Sequence, residues 1–112
     1  KYYCANIKHP DIVLPSSSLI THHSSLIHVW HLFIIRHPRR DELQKYLAEN
    51  NIQTLIHYPI PPYMQKAYKD WNTFRFSITE KIHNEVLSLP ISSVMRDEEV
   101  RRVTDVLNIA IK

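Results

Sequence analysis

Along this chain, runs of β-branched and aromatic residues alternate with stripes of apolar residues at helical spacing. His28 to Arg36, HVWHLFIIR, is of the first kind, bounded by loops and too short for a typical helix. It predicts a strand, central in its sheet. Pro38 ends it, and over Arg39 to Asn50 the residues Leu43, Tyr46 and Leu47 fall at i, i+3 and i+4, one apolar stripe of a helix. Asn50-Asn51 closes that helix, because asparagine tolerates the left-handed conformation that glycine normally supplies there. Ile52 to Tyr58, IQTLIHY, predicts a second strand, stopped by Pro59, Pro61 and Pro62.

The flanking segments read more weakly. Residues 1 to 9 suit the tail of a helix stopped by Pro10, Asp11 to Pro15 a short extended piece, and Ser16 to Ser25 a polar loop. Pro62 fits the first position of a short helix over Tyr63 to Trp71. Ser77-Ile78-Thr79-Glu80 has the form of a capping box, with Ile82, Val86 and Leu89 continuing an inward helical face. Leu89 to Val94, which contains Pro90, is at best a short edge strand. Asp97 to Ile111 places Val100, Val103, Leu107, Ala110 and Ile111 on one stripe, with three acidic residues at the positive helix start. Strands joined through helices in a chain this small imply an α+β domain of two layers, helices packed on one face of a small sheet.

Composition narrows the function classes. The 112 residues suffice for one domain, 1–112, with one core. They include no glycine, where average usage predicts roughly 8, so no P-loop, dinucleotide fingerprint or nucleophile elbow is present. No apolar stretch approaches the ~20 residues of a membrane span. The lone Cys4 fits a reducing, cytoplasmic setting. Without an initiator methionine, the chain reads as cut from something longer. A formal charge of +3 comes from scattered basic residues: Arg39 and Arg40 run into Asp41 and Glu42, and Arg101 and Arg102 follow Glu98 and Glu99. Such interleaving suits a solvated helix face rather than a nucleic-acid stripe.

Eight histidines are the most conspicuous chemical feature. His28 and His31 have H-x-x-H spacing, but on a strand residues three apart point to opposite faces. With no H-E-x-x-H and no cysteine partner, no metal site is expected. His9, His22, His23, His37 and His83 read as surface residues, and either His28 or His31 as a hydrogen-bonded interior one. His57-Tyr58-Pro59 differs, because it ends a strand at a proline-stiffened turn. There, an imidazole and a phenol suit a phosphate or a sugar, although a packed Tyr and a capped His fit the same pattern. No complete catalytic set is present in these residues.

In order, HVWHLFIIR, Arg40-Asp41-Glu42-Leu43, NIQTLIHYPIPP, Gln65-Lys66-Ala67-Tyr68, ITEKIHNEVLSLPIS and DEEV resemble the C-terminal segment of the DegT-type sugar aminotransferases. The likeness covers Ile12 to Asn108 and is closest in look to enzymes that aminate dTDP-linked 3-keto-6-deoxyhexoses. It implies the small, mainly antiparallel C-terminal domain of a fold type I, pyridoxal-phosphate-dependent homodimer. Such an enzyme transfers an amino group, usually from glutamate, to a keto sugar nucleotide for deoxyaminosugar and surface polysaccharide or lipopolysaccharide biosynthesis. In the family, the Schiff-base lysine and phosphate-binding loop belong to the large domain. The resemblance therefore implies that this chain alone binds no pyridoxal phosphate and is inactive. By the same resemblance His57 and Tyr58 contact the nucleotide sugar, with Trp30 and His31 shaping the pocket, and no membrane or nucleic-acid partner is implied. The alternative is a free-standing nucleotide- or nucleic-acid-binding α+β module. Departures from the family pattern are Tyr63 for a common His, Ser77 for Pro, Asn51 for Gly, and Arg96 for Ser or Thr, which moves the expected cap to Asp97.

Overall fold

The computed structural model describes residues 2–15 and 30–111. The predicted loop 16–25 and the first residues of the predicted strand, His28 and Val29, lie outside them, as do His22 and His23. The elements in order are α1 (Tyr2–Asn6), β1 (Phe33–Arg36), α2 (Arg40–Glu49), 3-10 turns at Pro62–Met64 and Lys66–Trp71, α3 (Ser77–Glu85), β2 (Val86–Leu89) and α4 (Asp97–Asn108).

β1 pairs antiparallel with β2, Phe33 opposite Leu89 and Arg36 opposite Val86. On the other side of β1, Arg36 and Val13 exchange two backbone bonds of 2.9 Å. β1 is therefore flanked on both sides, as a central strand must be. Val86 and Leu89, read as a helical stripe with Ile82, belong to a strand instead. Spacings of four and three satisfy a helix locally, but as a strand VLSL buries both Leu87 and Leu89 against β1, Leu87 completely. Pro90, which has no N–H, ends the strand at Leu89 rather than lying inside one.

The predicted second strand, Ile52 to Tyr58, meets the sheet only at Leu55, whose N–H and C=O bond to Ser88 at 3.2 and 2.8 Å. The register explains why. Continuing the ladder would set Gln53 opposite Pro90, which cannot donate, and His57 opposite Val86, whose N–H is already bonded to the Ile82 carbonyl at the end of α3.

α2 ends as its sequence predicts. Asn51 has φ of 59°, its N–H bonds to Ala48 O at 2.9 Å, and the Ile52 N–H reaches Leu47 O at 2.8 Å. This pair of bonds is a Schellman motif, with Leu47 and Ile52 both buried beside it. The short helix expected over Tyr63 to Trp71 is two 3-10 turns, broken by extended Gln65 and by Tyr68 at φ of −119°. Pro62 does open the first of them.

Both expected caps shift by one residue. Phe76 occupies the N-cap of α3 in place of Ser77, and Arg96 that of α4 in place of Asp97. In each, the glutamate supplies the bond: Glu80 Oε1 accepts from Phe76 N–H at 3.2 Å, and Glu99 Oε2 from Arg96 N–H at 2.8 Å. The core gathers Phe33, Ile35, Leu43, Leu47, Leu87, Val103 and Leu107 between the strands, α2 and α4. Tyr3 ties α1 to it, donating to Pro90 O at 2.9 Å, and burial pushes its phenol up to about 12, so it stays neutral.

Candidate functional site

An open groove of about 1110 Å³ runs along the outer edge of β2, between residues 51–57 and the N-terminal half of α4. His57 and His31 line it, together with Ser88, Met95 and Arg102. Leu55 pairs with Ser88, and His57 lies two residues further along the same edge. That spacing brings the His57 ring back over β2, where Nδ1 lies 2.8 Å from Ser88 Oγ.

Tyr58 has a different place. It is 75% exposed, lies outside the groove lining, and has φ of 54°, a left-handed conformation that is unfavourable for a residue with a Cβ. Its carbonyl oxygen accepts a hydrogen bond from His83 Nδ1 on α3. A carbonyl can only accept, so the His83 Nδ1 carries the hydrogen. His83, read from sequence as a surface residue, is thus half-buried and engaged with the His57-Tyr58 turn.

His31 is exposed on the groove and is not the interior histidine of the pair, while His28 lies outside the described residues. Trp30 turns inward, its ring 5.0 Å from Phe33 at the edge of the core. The structure therefore brings His57 and His31 together, leaves Tyr58 on the rim, and gives Trp30 a packing role. Tyr63 is buried, its hydroxyl donating to Glu80 Oε1 at 2.7 Å and its ring meeting Phe76 edge-on at 5.0 Å. Burial first, then that bond to a carboxylate, raises the Tyr63 phenol. The same hydroxyl, with the Phe76 N–H, lowers the Glu80 carboxyl. Sequence reasoning missed Ser88 and His83. Ser88 had a signal, a lone polar residue between two leucines in LSLP, whereas His83 acts across a separation of 25 residues that no local pattern records.

Two further histidines overturn an expectation. His9 and His37, read as surface residues, are 5% and 1% exposed. Each opens a His-Pro-x turn and accepts the N–H two residues on: Asp11 N–H to His9 Nδ1 at 3.2 Å, Arg39 N–H to His37 Nδ1 at 3.0 Å. The Val13–Arg36 bridge sets the two turns side by side, ring centroids 5.7 Å apart. Ligand-type atoms of His9, Asp11 and His37 lie within 4.8 Å of one another. Because both Nδ1 atoms are spent on backbone N–H groups, the hydrogen of each neutral ring sits on Nε2, leaving no free lone pair for a metal. Both Nε2 atoms are buried without a partner.

Comparison with known proteins places this fold. The chain is 55% identical over 107 residues to the dTDP-3-amino-3,6-dideoxy-alpha-D-galactopyranose transaminase of Aneurinibacillus thermoaerophilus, covering 96% of this chain and 28% of the relative. The crystal structure of DesV from S. venezuelae in complex with a ketimine intermediate superposes with a TM-score of 0.79 at 34% identity, over 96% of this chain and 28% of that one. The ntda structure from Bacillus subtilis with bound cofactor PMP gives 0.70 at 35% identity, over 88% and 22%. The chain thus spans about a quarter of the length of these relatives. The sequence profile of the DegT/DnrJ/EryC1/StrS aminotransferases matches residues 5–108, and the chain belongs to that family.

Proposed function

We propose that residues 1–112 form the C-terminal small domain, helices laid on one face of the sheet, of an aminotransferase acting on a keto sugar nucleotide. The observation that carries this reading is the 55% identity, over nearly the whole chain, to a relative named as a dTDP-sugar transaminase. In the intact protein, a cytoplasmic homodimer, glutamate supplies the amino group and the product feeds deoxyaminosugar and surface polysaccharide biosynthesis. The free-standing binding module is set aside on the family membership.

Pyridoxal phosphate supplies the electron sink for such a transfer. The described residues do not fit a Schiff-base site: no lysine lines the groove, and Lys8, Lys45, Lys66, Lys69 and Lys81 are all exposed. With no glycine in the chain, the backbone also lacks the usual element of a phosphate cradle. The cofactor lysine accordingly lies elsewhere in the intact protein, and the isolated domain is inactive.

What this chain contributes is binding. His57, at the groove edge, donates a hydrogen bond to the diphosphate or sugar. Tyr58 presents an aromatic face and a hydroxyl from the rim, and His31 shapes the approach, with Trp30 acting on it only indirectly through its packing against Phe33. In the intact enzyme, His57→Ala should raise the KM for the nucleotide sugar while leaving cofactor content unchanged. Loss of cofactor with KM unaltered would overturn the assignment.

A further inference from the structure

The contact between His57 and Ser88 determines which nitrogen of His57 is offered to a ligand. Ser88 is held by its neighbours: its N–H and C=O both bond to Leu55, and the residue is only 5% exposed. Its hydroxyl has His57 Nδ1 as its partner at 2.8 Å. A buried hydroxyl hydrogen needs an acceptor, and Nδ1 of a neutral imidazole can accept only when the ring hydrogen is on Nε2. The neutral ring is therefore an Nε2–H donor. In the cationic ring both nitrogens carry hydrogens, and Ser88 Oγ accepts from Nδ1 in a charge-assisted bond that offsets the hydroxyl hydrogen left without this acceptor. Serine is suited to both roles because it donates and accepts, and in either state Nε2–H stays available.

His83 shows the opposite arrangement within the same turn. Facing the Tyr58 carbonyl, its neutral ring must keep the hydrogen on Nδ1 and leaves Nε2 as a lone pair. A carbonyl or carboxylate in place of Ser88 would make His57 the same, a lone pair turned toward phosphate oxygens. We propose that Ser88 is a positioning residue that keeps His57 a hydrogen-bond donor through Nε2, and so selects an anionic ligand group at the groove. His83 completes the arrangement by holding the strained Tyr58 carbonyl next along the chain. The inference rests on the reading that His57 contacts the nucleotide sugar, whose diphosphate is the anionic group.

Two measurements test it separately. Long-range proton–nitrogen NMR of the 112-residue chain, at a pH where the ring is neutral, should find the His57 hydrogen on Nε2; a hydrogen on Nδ1 overturns the proposal. In the intact enzyme, Ser88→Ala, which frees His57 to take either tautomer, should raise the KM for the nucleotide sugar about threefold, the order of one neutral hydrogen bond and less than His57→Ala raises it, with kcat within about twofold. Ser88→Thr, which keeps the hydroxyl, should recover it. A KM unchanged by Ser88→Ala beside one raised by His57→Ala overturns the role of Ser88. A KM unchanged in both overturns the functional reading and this assignment with it, while the NMR result still reports which nitrogen Ser88 engages.

Discussion

Replacing His37 with asparagine separates two properties of a buried imidazole, its hydrogen-bond acceptor and its titration. Asparagine Oδ1 sits one bond from Cγ, as Nδ1 does, so it can still accept the Arg39 N–H that closes the His-Pro-Arg turn. It cannot take up a proton. In the folded chain His37 is lowered from its ordinary 6.5, first by burial and also by the neighbouring His9 and Arg39, with the charge of Asp11 acting in the opposite sense. The unfolded chain therefore binds more protons below 6.5, and the His37 contribution to stability, full above that value, is lost as the pH falls through it. A ring that resists protonation throughout contributes at most about 1.4 kcal/mol of lost stability between roughly pH 7.5 and pH 5.5. Urea unfolding of parent and His37→Asn at both pH values measures this. The variant loses some stability at both, from the smaller side chain, but its loss between them should be smaller than the parent's by up to that amount. Equal losses in the two proteins would show that His37 is not the titrating group and refute the reasoning.

Other substitutions probe the elements that carry the groove. Asn51→Gly should be neutral or stabilising and Asn51→Ala should destabilise by about 1 kcal/mol, because only the latter meets a Cβ penalty at φ of 59°; urea midpoints check both. Leu107→Ala should cost about 2–5 kcal/mol, since that side chain is completely buried on α4, and a loss under about 1 kcal/mol would contradict the packing described. Glu85→Ala removes the acceptor from Arg36, whose Nε and Nη2 bond to Glu85 Oε2 at 3.0 and 2.7 Å. Thermal unfolding should show a loss of about 1–3 kcal/mol, reflecting a half-buried guanidinium left unpaired.

Much of this fold is legible in the sequence where a local rule and the tertiary structure agree. The α2 stripe, its asparagine closure, the α4 stripe and the central strand at Phe33 to Arg36 are such cases. Val86 and Leu89 are not, because spacings of three and four residues satisfy a helix and only the presence of β1 selects the strand. Ile52 to Tyr58 fails for a reason visible only in register, since Pro90 and Val86 deny it further ladder bonds. At the groove, the place of His57 is legible through the turn it precedes. Ser88 and His83 escaped notice because their roles depend on which carbonyl or ring lies opposite them, and His9 and His37 because the Val13–Arg36 bridge that buries them joins distant segments.

The most direct measurement is of amino transfer by the intact protein. Incubated with pyridoxal phosphate, glutamate and a dTDP-linked 3-keto-6-deoxyhexose, it should yield the amino sugar nucleotide, seen by mass spectrometry, and the yield should collapse when His57 is replaced at low substrate concentration. No amination of any keto sugar nucleotide by a fully cofactor-loaded protein would contradict the proposed function.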